Sequence, residues 1–150
     1  MEVVPRRAIR PDDPRLLAQL VFCLASSNQL EKAEAKLGLL PAAIERHASG
    51  IDRTNWNVIM AADRWLIAFR RGLLAEGHDH YEQAMRTAKE YELNDSAAIA
   101  ILYYAREVTR TEPEHGRQIL GEARSVLTAF HEPLRHIYEQ VLLRAEQQLK

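Results

Sequence analysis

Residues 55–88 read NWNVIMAADRWLIAFRRGLLAEGHDHYEQAMRTA, and the chain is organised around them. Apolar residues recur at helical spacing as far as Arg71. Gly72 is suited to a tight turn, because it has no Cβ to oppose positive φ. A second, more polar helix returns over about 74–92, with a narrow stripe of Tyr81, Ala84, Met85, Ala88 and Tyr91. The first of the two helices is apolar on two sides. Trp56, Ile59 and Met60 form one stripe, and Val58, Trp65, Leu66 and Phe69 the other. A helix wet on one face needs a single stripe, so two stripes predict a helix between neighbours.

The rest of the chain reads as weaker copies of this hairpin. Asp13-Pro14 predicts a helix start, with a capping carboxylate followed by a proline whose missing N–H is not needed there. Leu17, Leu20, Val21 and Leu24 follow at helical spacing to about Asn28. A return helix is predicted from Gln29 to Ser49-Gly50, kinked at Pro41, and the central helix is expected to be capped by Thr54. AAIAILYYA, Ala97–Ala105, predicts an inner helix, apolar all round. Pro113 opens a sixth helix reaching Phe130, and Pro133 a seventh. No segment alternates with period two, so no sheet is expected.

An internal repeat supports this order. Ala33, Leu37 and Leu40 recur as Gly77, Tyr81 and Ala84, then as Gly116, Leu120 and Ala123, at offsets of 44 and 39 residues. The same offsets align Val21, Trp65 and Tyr104 on the preceding helices. A small residue early in a return helix lets two backbones approach, and a bulkier residue one turn later fills the groove beside it. One hairpin cannot bury its own apolar face, whereas three stacked hairpins build a continuous core.

This pattern resembles the tetratricopeptide-repeat superfamily. Asn28-Gln29-Leu30-Glu31-Lys32-Ala33 looks like that family's turn and return segment. Gly72 looks like its turn glycine, and Gly77, Tyr81 and Ala84 like its small–aromatic–small series. The resemblance covers residues 14 to 130 and implies an all-α fold: a short right-handed solenoid of about three antiparallel helical hairpins plus a C-terminal capping helix. It also implies a groove lined by the inner helices, with Phe22, Leu66, Phe69, Ile101 and Val108 as partner-binding candidates. The groove is apolar and suits an amphipathic helix of a protein or peptide partner; the chain's own last helix is the other occupant to consider. The lysine and asparagine clamp by which the family holds a peptide C-terminal carboxylate has no counterpart at these positions.

Composition bounds the chemistry. The 150 residues are 47% apolar and 27% charged, with a net charge of −1. That is one domain with a real core, expected over residues 13–150 behind a flexible leader of residues 1–12. The near-zero charge creates no field favouring nucleic acid or membrane. No apolar run exceeds nine residues, too short to span a bilayer. The one cysteine, Cys23, excludes an intrachain disulfide and suits a reducing, cytoplasmic compartment. Flanked by Phe22 and Leu24, it reads as a buried, inert thiol.

The histidines give no metal motif. His78 and His80 fall on different sides of their helix, and Pro133 interrupts the run from His131 to His136. No nucleophile–base pair or phosphate-cradling loop is present, so neither catalysis nor a cofactor is expected. Arg64, Arg70 and Arg71 surround Trp65 and Phe69 and are the candidates for anion or nucleic-acid contact. The leading expectation is a non-enzymatic protein–protein interaction scaffold or adaptor, able to self-associate through its last helix. The alternatives are a helical-repeat nucleic-acid binder using those arginines and the leader's, and a small-molecule sensor with a pocket near Trp65 and Tyr104.

Overall fold

The computed structural model describes residues 11–149. Expectations for residues 1–10, among them the leader arginines Arg6, Arg7 and Arg10, lie outside the described residues. Within them all regular structure is helical: α1 Pro14–Ser26, α2 Leu30–Leu37, α3 Leu40–His47, α4 Gly50–Arg70, α5 Leu74–Glu90, α6 Asn94–Thr111, α7 Pro113–Val126 and α8 Leu134–Gln147. One 3-10 turn, Leu127–Ala129, follows α7. Among the described residues no helix is long and apolar enough to cross a membrane.

The pairs α1–α2, α4–α5 and α6–α7 pack as sequence-adjacent hairpins, and α1, α4, α6 and α8 each pack on the next. The two-striped α4 and the all-round apolar α6 lie between neighbours, as their residues predict. Val21, Trp65 and Tyr104 share one core cluster, with Val21 wholly buried and Trp65 and Tyr104 nearly so.

Turn chemistry repeats with the helices. After α1, the N–H of Gln29 donates to Leu24 at 2.8 Å and that of Asn28 to Ala25 at 3.0 Å. After α4, Leu73 donates to Ala68 at 2.8 Å and Gly72 to Phe69 at 3.1 Å. These paired bonds close a helix through one left-handed residue, here Asn28 at φ 60° and Gly72 at φ 79°. The third hairpin lacks that device. Glu112 alone separates α6 from α7, and Pro113 starts the return.

The small residues stand where backbones meet. A Cβ built on Gly77 would lie 2.9 Å from the Phe69 ring, and one on Gly116 would lie 2.6 Å from the Cα of Thr109. Ala33, their counterpart in the first hairpin, is wholly buried.

Several boundaries differ from expectation. The helix predicted through Pro41 is two helices, α2 and α3, parted at Gly38-Leu39. A proline ring clashes with the carbonyl four residues before it, so Pro41 is accommodated in the first turn of a new helix. Leu40, Ala43 and Ile44 of α3 then close a separate small core with Leu17, Ala18 and Met60. Ser49-Gly50 does not simply stop a helix; it opens α4, four residues ahead of Thr54. The Thr54 hydroxyl bonds back to the Gly50 carbonyl inside the helix and is not its cap. Tyr91 ends up exposed just past α5, and α7 stops at Val126, short of Phe130. Cys23 is exposed, because the helical turn carries it away from the core that its sequence neighbours touch. Asp12 pairs with two residues of α3, Arg46 at 2.5 Å and His47 at 3.0 Å.

One carboxylate ties the inner helices together. Glu107 on α6 is 1% exposed. Arg70 of α4 grips both its oxygens, at 2.5 and 3.2 Å, while Arg106 reaches Oε2 at 2.9 Å and Arg110 reaches Oε1 at 3.2 Å. Arg70 also donates to the Ser26 carbonyl and the Asn28 side chain, and Arg106 to the Ser26 hydroxyl. The ends of α1 and α4 are thereby fixed to α6.

Two outcomes are expected in urea denaturation. Glu107→Ala strands the buried Arg70 charge and destabilises by about 3–5 kcal/mol, part of which returns in the Arg70→Met, Glu107→Leu double variant. Gly116→Ala meets backbone and destabilises by about 1–3 kcal/mol despite alanine's better helix propensity, whereas Gly77→Ala meets a ring that can shift and costs less.

Candidate functional site

A cleft of about 490 Å³ lies between α1, α4 and α6, with α8 at one edge. Helical spacing supplies its walls. Ala18 and Phe22 come from α1, Ile59, Ala62 and Leu66 from α4, Ile99 and Tyr103 from α6, and Tyr138 from α8. Small residues at 18, 62 and 100 make room, and aromatic residues enclose it. Phe22 meets Tyr103 edge-on at 4.8 Å, Tyr103 meets Tyr138 at 6.5 Å, and half-buried Trp56 lines the α4 wall. The Arg106 guanidinium lies 5.5 Å from the centre of the Phe22 ring and 5.0 Å from that of Tyr103, so the residue that grips Glu107 also braces the cleft's aromatic wall.

One ionisable side chain of this lining is buried. Asp63 is 4% exposed, and its Oδ2 is shut off from solvent with no hydrogen-bond partner among the described residues. Burial disfavours the carboxylate and pushes its pKa up to about 8. At neutral pH the side chain is therefore mostly an uncharged acid in an apolar, aromatic surround. The indole Nε1 of Trp65, another lining residue, is likewise buried without a partner among the described residues.

The candidates named from sequence separate here. Phe22 and Leu66 line the cleft. Phe69, 3% exposed, and Val108, wholly buried, belong to the core, and Ile101 packs against that core outside the cleft. Among the arginines, Arg70 is committed to Glu107 with a side chain 8% exposed, and Arg71 pairs with Glu34 at 2.7 Å. Arg64 is exposed, and its guanidinium lies 3.8 Å from the Met60 sulfur. The three do not form one basic patch. Of the pair proposed to flank a ligand pocket, Trp65 lines the cleft and Tyr104 lies in the core beyond it. The last helix contributes Tyr138 to the edge and leaves the cleft open among the described residues.

A second constellation joins residues far apart in sequence. His78 of α5, Glu112 at the α6–α7 corner and His115 of α7 bring ligand atoms within 4.8 Å of one another. His78 Nε2 lies 2.6 Å from Glu112, and its Nδ1 lies 2.6 Å from the Tyr104 hydroxyl. Tyr104 in turn stacks on Tyr81 with ring centres 3.5 Å apart. Burial, then the nearby Glu112 charge, pushes the Tyr104 phenol up to about 12.

Sequence reasoning placed Phe22, Trp65 and Leu66 at the cleft but missed Asp63 and the His78 group. Asp63 carries the one legible signal: an acid at helical spacing from Ile59 and Leu66, inside an apolar stripe. His78 and Glu112 are 34 residues apart, and no local pattern links them.

Asp63 sets a pH dependence with a definite sign. Its pKa is about 8 in the folded protein against 3.8 ordinarily, so the folded state holds its proton over a range where the unfolded chain has lost it. Its contribution to stability is full below the ordinary value and falls by at most about 1.4 kcal/mol per pH unit until the pH passes about 8. Asp63→Asn has no such titration. Chemical denaturation from pH 4 to 9 should find the variant gaining on the native protein up to about pH 8, with the difference level above it.

No known family, curated protein or solved structure matches the chain.

Proposed function

We propose that the chain is a non-enzymatic protein-binding module: a short right-handed solenoid of three tetratricopeptide-like hairpins with α8 as its cap. Its cleft takes an amphipathic helix from a partner protein, and a lysine or arginine of that helix meets Asp63. Consecutive packing of α1, α4, α6 and α8 supports the stacked reading. Asp63 carries the functional one. A buried carboxyl oxygen without a partner among the described residues is a standing cost to folding, and a cation delivered into the cleft relieves it by pairing with the ionised form. The aromatic walls complement both the apolar face of such a helix and the stem of its basic residue.

A second reading rests on size. A cleft of about 490 Å³ falls in the range of small-molecule pockets, and a small organic amine has the same two complementary features. The nucleic-acid reading has less support, because Arg70 and Arg71 are already paired to carboxylates.

A panel of labelled amphipathic helical peptides, differing only in Lys, Leu or Glu at one central position, tests the proposal by fluorescence polarisation. The Lys peptide is expected to bind best, more tightly as the pH rises toward 8, with its advantage over Leu lost in Asp63→Asn. Equal binding of all three peptides, or an oligonucleotide bound more tightly with steep weakening in salt, overturns it.

A further inference from the structure

We propose that His78, Glu112 and His115 form a binding site for a divalent transition-metal ion, zinc above all. None of the three lines the cleft, so the inference stands independently of the peptide reading.

The donor set selects the ion. Two imidazoles and one carboxylate match borderline ions such as zinc, whereas calcium and magnesium take oxygen donors. Three protein ligands leave a fourth position for water or a partner's side chain, the pattern of open zinc sites. All three ligands are half-buried, so water does not freely compete for them, yet an ion has a path of entry.

The fold builds the site by the same contacts that set its helix spacing. His78 follows Gly77, which abuts the Phe69 ring, and His115 precedes Gly116, which abuts Thr109. Glu112 stands between α6 and α7. Those approaches set the spacing within each hairpin; packing of α5 on α6, with Tyr81 stacked on Tyr104, brings the start of α5 to the corner of the next hairpin, and an ion bound there links the two hairpins.

Orientation is also provided. A metal-bound imidazole is held in place through its other ring nitrogen, and Tyr104 stands 2.6 Å from Nδ1 of His78. In the metal-free protein the Glu112 carboxylate can only accept, so Nε2 of His78 carries a proton toward it, and in the neutral ring Nδ1 then accepts from the Tyr104 hydroxyl. With an ion on Nε2 the tautomer changes, and Nδ1–H donates to the Tyr104 oxygen. His78 and Glu112, now 2.6 Å apart, need only a small side-chain rotation to admit an ion between them. His115 has its ring centre 5.6 Å from that of His78 and completes the set.

The full chain, stripped with chelator, is titrated with cobalt(II) and then with zinc(II). One cobalt per chain is expected, with the visible absorption of a low-symmetry four- or five-coordinate site, displaced by zinc and accompanied by a higher melting temperature. His115→Ala leaves the Tyr104–His78–Glu112 hydrogen bonds in place, so its metal-free melting temperature should match the native protein's. Its zinc affinity should fall by at least the ~10–100-fold that loss of an outer-sphere partner costs. Substoichiometric cobalt uptake, or equal zinc affinity in His115→Ala, overturns the proposal and assigns any bound ion to other histidines.

Discussion

The arrangement of inner helices depends on a carboxylate held away from water. Glu107 is buried on α6, and a lone charge there would be too costly to keep. Arg70 arrives from the end of α4 with two of its three guanidinium nitrogens aligned to its oxygens, and Arg106 and Arg110 complete the ring. Apolar side chains alone tolerate sliding between neighbouring helices. A bidentate, desolvated ion pair does not, because a shift of one turn would leave buried charge unpaired. Since Arg70 and Arg106 also bond the end of α1, the first three inner helices share one register. The first layer of helices is therefore positioned partly by a residue some eighty positions later in the chain.

Much of the fold was legible in the residues. The turn at Gly72, the helix start at Asp13-Pro14 and the common layer of Val21, Trp65 and Tyr104 are local or periodic signals. Each has a single physical cause, such as positive φ, a missing N–H or helical spacing. The small residues at 33, 77 and 116 were legible for the same reason: close backbone approach leaves few choices of side chain. Boundaries governed by competition were harder to read. Pro41 suits both a kink and a first turn, and what α3 gains by packing Leu40 and Ile44 against Leu17 and Met60 favours the second. Gly50 suits a stop as well as a start.

The sites were less legible than the fold because their residues meet through tertiary packing. Phe69 and Phe22 look alike as inner-helix aromatics. The approach of Gly77 buries the first, while the gap beside Ala18 and Ala62 leaves the second on the cleft. Arg70 and Arg64 look alike as members of a basic cluster, yet one neutralises a buried acid and the other is exposed. Asp63 and the His78 group share a feature with Glu107: each sets a polar group where apolar surface would be simpler. Glu107 has its partners within the chain, whereas Asp63 has none among the described residues, and that contrast separates a structural charge from a candidate recognition group.

Both tryptophans of the chain line the cleft, one half-buried and one 2% exposed. The protein thus carries its own optical gauge. Trp65, sealed from water, keeps a blue-shifted emission for as long as the helices stay packed. Trp56, at the rim, changes colour when something displaces the solvent beside it. The two populations respond differently to an added quencher, so occupancy of the cleft and loss of the fold can be told apart in unlabelled protein.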